Sequence, residues 1–138
     1  MRSPARPCWW SPPPHRHTPP RTAEVYYIEN DPFGVNRYDA RFNGTVSSNG
    51  PHGFVLHGEL DAYCHHGAMT RQSVRLDYRA THGGWQDVRF WCDQTPVPIH
   101  MYGSRSYGDS VDVTVGATSG VFNTYNYSNT YRFNIGTD

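Results

Sequence analysis

Lysine is absent from this chain: all twelve cationic side chains are arginine, and twelve carboxylates balance them to a formal net charge of zero. Neither a broad basic face nor an acidic tail is expected, so nucleic acid is set aside as a partner. The arginine-only usage is read as the mark of a GC-rich coding sequence. No run of about eighteen apolar residues occurs, which excludes a membrane-spanning helix. Long helix formers are few, with three leucines, three glutamines and three glutamates among 138 residues, so strands are favoured over helices. The start, MRSPARPCWWSPPPHRH, lacks the apolar stretch of about seven to fifteen residues that a signal peptide needs.

What the chain does hold is tyrosine, glycine and proline, with ten Tyr, thirteen Gly and eleven Pro. Aromatic residues and turn formers together point to short strands and tight connections. The length suits one domain with one core. Positions 1–22 hold seven prolines, four arginines and two histidines without any apolar period. That composition buries too little surface to offset the entropy of ordering, so it is expected to be a disordered leader before a domain at 23–138. Trp9 and Trp10 within it are read as incidental.

From Ala23 onward the period becomes two. Tyr38, Ala40, Phe42 and Val46 alternate with Arg37, Asp39, Arg41, Asn43 and Thr45, and Phe54, Leu56, Leu60, Ala62 and Cys64 alternate with His57, Glu59 and Asp61. Both are patterns of half-buried strands, joined by the turn residues Ser47 to Pro51. Further strands are expected at 24–29, 97–102, 110–115, where Val111, Val113 and Val115 face inward, and 130–135, with 121–127 doubtful. Some eight short strands predict an antiparallel two-sheet β-sandwich of immunoglobulin-like or jelly-roll-like architecture, with a small β-barrel as the alternative.

The segment from Val74 to Cys92 is expected to be a hairpin. Val74, Leu76 and Tyr78 face one way with Val88, Phe90 and Cys92, while Arg75, Asp77, Arg79, Asp87, Arg89 and Trp91 face the other. A three-residue loop over His82 to Gly84 predicts Leu76 opposite Phe90, Arg79 opposite Asp87, Asp77 opposite Arg89 and Arg75 opposite Trp91. Each such cross-strand pair contributes roughly 0.2 to 1 kcal/mol.

Cys8 lies in the leader, whereas Cys64 and Cys92 each end a strand on its inward phase. They are expected to form a disulfide between facing sheets, because one intervening strand in the same sheet would hold their Cα atoms about 10 Å apart, beyond the roughly 7 Å a bridge spans. Such a bridge stabilises by roughly 3.5 kcal/mol on the chain-entropy account. It implies an oxidising compartment, in conflict with the missing signal peptide; either the natural start lies elsewhere or the thiols stay free inside the cell.

Catalytic signatures are sought and not found. His57-Gly58-Glu59 matches the first half of a zinc deaminase signature whose Pro-Cys-x-x-Cys half is absent. His52, His57, His65, His66, His82 and His100 fall mostly in or beside turns and are read as solvated, so no metal or cofactor is expected. Calcium donors at Asn30-Asp31-Pro32 are explained by an Asx turn, and Asp112, beside Asp109, is read as a solvent-facing strand residue. Glu59, Asp61 and Asp39 would suit a pair of glycosidase carboxylates, but are read as a solvated sheet face neutralised by Arg37 and Arg41.

The stronger signal is aromatic. Trp85 and Trp91 share the outward phase, Tyr63 is outward near Cys64, and Tyr102, Tyr107, Tyr125, Tyr127 and Tyr131 lie among Gly, Ser, Asn and Thr. Flat rings rimmed by hydrogen-bonding groups suit a sugar or peptide surface. The expectation is a secreted, non-enzymatic sandwich binding a ligand or partner, a glycan or a protein, through Trp85, Trp91, Arg75, Arg89 and Tyr63. The alternatives are a hydrolase with a histidine-metal or paired-carboxylate site, and an assembly protein of a cell surface or phage particle.

Overall fold

A computed structural model of the chain describes residues 20–30, 32–34, 36–63, 72–106, 108–118 and 126–136. Most of the leader, Cys8, Cys64, His65, His66, Tyr107 and Tyr125 lie outside these residues. Nine strands are present among them: β1 (Arg21–Asn30), β2 (Asn36–Ser48), β3 (Gly53–Tyr63), β4 (Ser73–Ala80), β5 (Gln86–Trp91), β6 (Val97–Ser104), β7 (Ser110–Thr118), β8 (Asn126–Tyr127) and β9 (Tyr131–Asn134). A 3-10 turn, Cys92–Gln94, follows β5. No helix among the described residues is long and apolar enough to cross a membrane. β1 begins at Arg21, two residues before the domain boundary expected from composition.

The strands form two antiparallel sheets, one ordered β1-β2-β3-β6 and the other β5-β4-β7-β8, with β9 also pairing β7. They do not close into a barrel, so the β-sandwich is the architecture. The chain lays down a meander in the first sheet, a hairpin in the second, then returns to each in turn. Period-two alternation produces this layering directly: Ala40, Phe42 and Val46 of β2, Leu56 and Leu60 of β3, and Val111, Val113 and Val115 of β7 are all fully buried between the sheets.

Two contacts show how closely the layers fit. Ala23, Gly44 and Gly58 stand side by side across β1, β2 and β3, where a Cβ on Gly44 would lie 2.2 Å from the His57 carbonyl oxygen. Only glycine permits that approach, and β7 of the opposite sheet packs across β1 and β2. Phe54 lays its ring over Gly103, where a Cβ would fall 2.1 Å from the ring, and meets Tyr78 of the other sheet edge-on at 6.3 Å.

Arg105 ties one end of the sandwich. It is 3% exposed, its backbone N–H donates to His52 O at 3.0 Å, and its guanidinium donates to Ser48 Oγ at 2.7 Å, Gly50 O at 2.8 Å, Gly108 O at 3.2 Å and Gly136 O. One planar fork thereby satisfies carbonyls from three separate loops, a geometry lysine cannot reproduce.

The β4–β5 hairpin keeps the expected faces but not the expected register. Arg75 lies opposite Arg89, Asp77 opposite Asp87, Leu76 opposite Val88 and Val74 opposite Phe90, a slip of two residues from the pairing predicted above. A slip of two preserves inward and outward phase, which is why hydrophobic pattern alone did not detect it. The turn is the cause. Gly83 N–H donates to Ala80 O at 2.7 Å, and His82, rather than a glycine, takes the left-handed conformation at φ 70°. The bend therefore starts earlier than His82. Thr81 N–H is meanwhile held by Ser110 O of β7 at 3.0 Å.

Candidate functional site

The slipped register builds the outer face of the second sheet. Reading across β5, β4, β7 and β8/β9, one row is Arg89, Arg75, Gly116 and Tyr127, and the next along the strands pairs Asp87 and Asp77 with Thr114. The row after that brings Arg79, Asp112 and Arg132 together, with Trp85 over Arg79. Like charges therefore stand opposite across β4 and β5, and the compensation runs along each strand. Arg75 Nε donates to Asp77 at 2.6 Å and Arg89 Nε to Asp87 at 3.0 Å, with Arg75 Nη2 3.7 Å from Asp87.

At the centre of the face is a carboxylate with no solvent contact. Asp112, read from sequence as solvent-facing, is fully buried, because Arg79 Nε donates to it at 3.0 Å, Arg132 Nε at 2.8 Å and Thr81 Oγ1 at 3.0 Å. Burial alone would raise this carboxyl, yet the donors from Arg132, Arg79 and Thr81 together hold it below the ordinary value of 3.8. Asp77 goes the other way. Its burial, with Asp87 alongside, outweighs the Arg75 bond and lifts it above 3.8. For Arg75, burial works against the charge, but Asp77 more than offsets it and the guanidinium is held above its usual value.

Aromatic rings stand around this polar floor. Trp85, just before β5, and Trp91, at its end, are about two-fifths exposed; six residues of near-extended chain hold them up to about 20 Å apart. The Arg79 guanidinium lies 4.4 Å from the Trp85 ring centroid, so the expected cation over an indole exists with a different arginine and a different tryptophan. Tyr127 lies across Gly116, where a Cβ would meet the ring at 2.7 Å, and its ring is 5.9 Å from the Arg75 guanidinium.

Of the five residues singled out from sequence, Trp85, Trp91, Arg75 and Arg89 share this face. Tyr63 does not: it pairs with Asp39 on the outward phase of β3 in the other sheet. Asp61 and Glu59 are on that second outer face, Asp61 opposite Arg41. There His57 lies across from His100 with rings 5.1 Å apart, and His100 Nε2 shares a 2.8 Å hydrogen bond with the Tyr102 hydroxyl. No three His, Cys, Asp or Glu side chains converge as a metal site among the described residues.

Sequence reasoning put Arg79 on this outward face without naming it among the binding residues, and missed Asp112, Arg132 and Tyr127 as its neighbours there. The alternation of Val111, Asp112, Val113, Thr114 and Val115 marks Asp112 as outward, but outward residues of a central strand can be roofed by their neighbours. The neighbour set is fixed only by strand order. Cys92 is buried at the head of the 3-10 turn; its expected partner Cys64 lies outside the described residues. A hollow of about 230 Å³ opens at the β4–β5 turn beside Thr81, His82, Gly83 and Arg105, at the far end of β5 from Trp91. Comparison with protein-family models, with curated proteins and with solved structures finds no match to this chain.

Proposed function

We propose that this protein is a secreted, non-enzymatic β-sandwich that binds a glycan on the outer face of its second sheet. The observation that carries the reading is the Arg/Asp floor of that face, part-exposed guanidiniums fixed over the buried Asp77 and Asp112 and flanked by three part-exposed rings. Sugars present apolar C–H faces and vicinal hydroxyls; rings stack on the first, and the part-exposed guanidiniums donate to the second while the Asp87 carboxylate accepts from it. Because Arg75, Asp77, Arg79 and Asp112 already hold one another in place, little side-chain entropy is lost on binding. The spacing of Trp85 and Trp91 suits an extended oligosaccharide rather than a single sugar. Tyr63 stands outside this surface.

The extracellular part of the proposal rests on a Cys64–Cys92 bridge. Supporting it, Cys92 is buried, and the 3-10 turn it opens packs against β3, the strand that runs into Cys64. Alkylation of the intact chain with and without prior reduction tests it: two thiols modified only after reduction are expected.

The glycan reading is tested on an array of plant, bacterial and animal polysaccharides. Binding that falls at least tenfold in both Trp85→Ala and Trp91→Ala, with urea midpoints unchanged, is the expected result, tenfold corresponding to about 1.4 kcal/mol. Arrays negative throughout, or binding indifferent to both substitutions, would remove it.

A further inference from the structure

We propose that β6 is a pairing edge through which two copies of this chain join their four-stranded sheets into one. A sheet edge presents backbone groups that another strand can satisfy, and folded proteins usually protect such edges with charge, proline or brevity. Most edges here follow that rule. β1 carries Arg21, Glu24 and Glu29, and Arg21 Nε donates to Asn134 O at 2.9 Å. β5 carries Asp87 and Arg89, and its Trp91 N–H is taken by Gln94 Oε1 at 2.7 Å. β8 has two residues, and β9 has four, including Arg132. β6, Val97–Ser104, has eight residues and no formal charge; its single proline, Pro98, stands near its start and leaves the stretch from His100 to Ser104 without any of these devices.

The hydrogen-bond phase of β6 follows from its neighbour. Arg105 N–H donates to His52 O at 3.0 Å, in register with the β3–β6 ladder, so Gly103, Met101 and Ile99 turn their backbone groups toward β3. Pro98, His100, Tyr102 and Ser104 turn theirs to the open edge. Proline, which has no N–H to offer, falls in that outward set, where it breaks no ladder bond. No other strand among the described residues pairs with this edge.

The sequence of β6 is complementary to itself in one register. An antiparallel two-fold centred on Met101 sets His100 opposite Tyr102 of the second copy and Pro98 opposite Ser104, so all four outward residues find partners. The two His100/Tyr102 pairs exchange two bonds each and the two Pro98/Ser104 pairs one each, about six in all. Shifting the centre by one residue either way leaves an outward residue unmatched. On the exposed side, imidazole and phenol face each other across the seam, and these two groups already bond within one strand at 2.8 Å. No like charges meet, and Tyr102, 61% exposed, becomes covered. A second copy is thus the fitting occupant.

Such an axis runs perpendicular to the sheets, so both copies would present the outer face of the second sheet in the same direction. Bivalent glycan binding would follow from that and rests on the function proposed above; the pairing itself does not.

Sedimentation equilibrium of the whole chain over about 1 to 500 µM, where weak complexes titrate, reads the proposal without any ligand. The mass is expected to rise from 15.7 kDa toward twice that value. Tyr102→Pro removes an outward N–H and no bond to β3, and Tyr102→Lys brings a cation to each side of the seam; both are expected to stay at 15.7 kDa across the series. A wild-type chain monomeric throughout overturns the proposal. So does a dimer that persists in either variant that folds.

Discussion

Replacing Asp112 by Asn tests whether the floor of the candidate site is held by a buried charge. The carboxylate receives Arg79 on Oδ2 and Arg132 with Thr81 on Oδ1. An amide keeps one oxygen and turns an NH2 toward the remaining donors, so either orientation sets a donor against a donor. A hydrogen bond to a charged group contributes about 1.5 to 3 kcal/mol, and the guanidinium of Arg79 is one-quarter exposed and regains some water. The net loss is therefore placed at about 2 kcal/mol. With a urea slope of about 1 to 2 kcal/mol/M for a domain of this size, the midpoint should fall by roughly 1 to 2 M. Because the folded-state pKa lies below the ordinary 3.8, the stabilisation is complete above 3.8 and disappears as pH falls through the lower folded value. The gap between wild type and variant should accordingly close in strong acid. As a control, Asp87→Asn alters a partly exposed pair at the sheet edge and should shift stability by less than about 0.5 kcal/mol. A midpoint for Asp112→Asn within about 0.3 M of wild type at neutral pH would show that Asp112 contributes no more than a surface ion pair, and the reasoning would be wrong.

Asp77 should give the opposite pH response. Its folded-state pKa is raised, so the native form takes the proton first and stability gains as pH falls from neutrality toward 3.8; urea midpoints between these limits should show that gain in wild type and not in Asp77→Asn, and parallel curves would contradict it. Gly103→Ala drives a methyl into the Phe54 ring and should cost about 1 to 3 kcal/mol, whereas Gly84→Ala, with open space at its Cβ, should lose much less in the same melt. Arg105→Lys keeps the charge and loses the fork over Ser48, Gly50, Gly108 and Gly136, with an expected loss of about 2 to 3 kcal/mol by chemical unfolding; an unchanged midpoint would mean the loops hold themselves.

The strand reading succeeded where the alternation was cleanest. Phe42, Val46, Leu56, Leu60, Val111, Val113 and Val115 were placed inward from period two, and all are buried. It failed at the turn after β4, because the choice of His82 for a left-handed position is not written in any glycine or asparagine signal. The charge pairs expected across β4 and β5 were also the wrong ones. Cross-strand preferences of a few tenths of a kcal/mol were outweighed by a turn anchored on β7 and by ion pairs running along each strand.

Local composition and period-two patterning determined that the fold is all-β, which side chains face the core, and that Trp85, Trp91, Arg75 and Arg89 share an outward phase. Those properties depend on near neighbours in sequence, and the pleat alone enforces them. Strand order decided the rest: that Tyr63 is on the other outer face, that Asp112 is sealed beneath arginines from β4 and β9, and that Tyr127 fills the notch at Gly116. These depend on which distant segments become neighbours, and an alternating pattern carries no label for its partner.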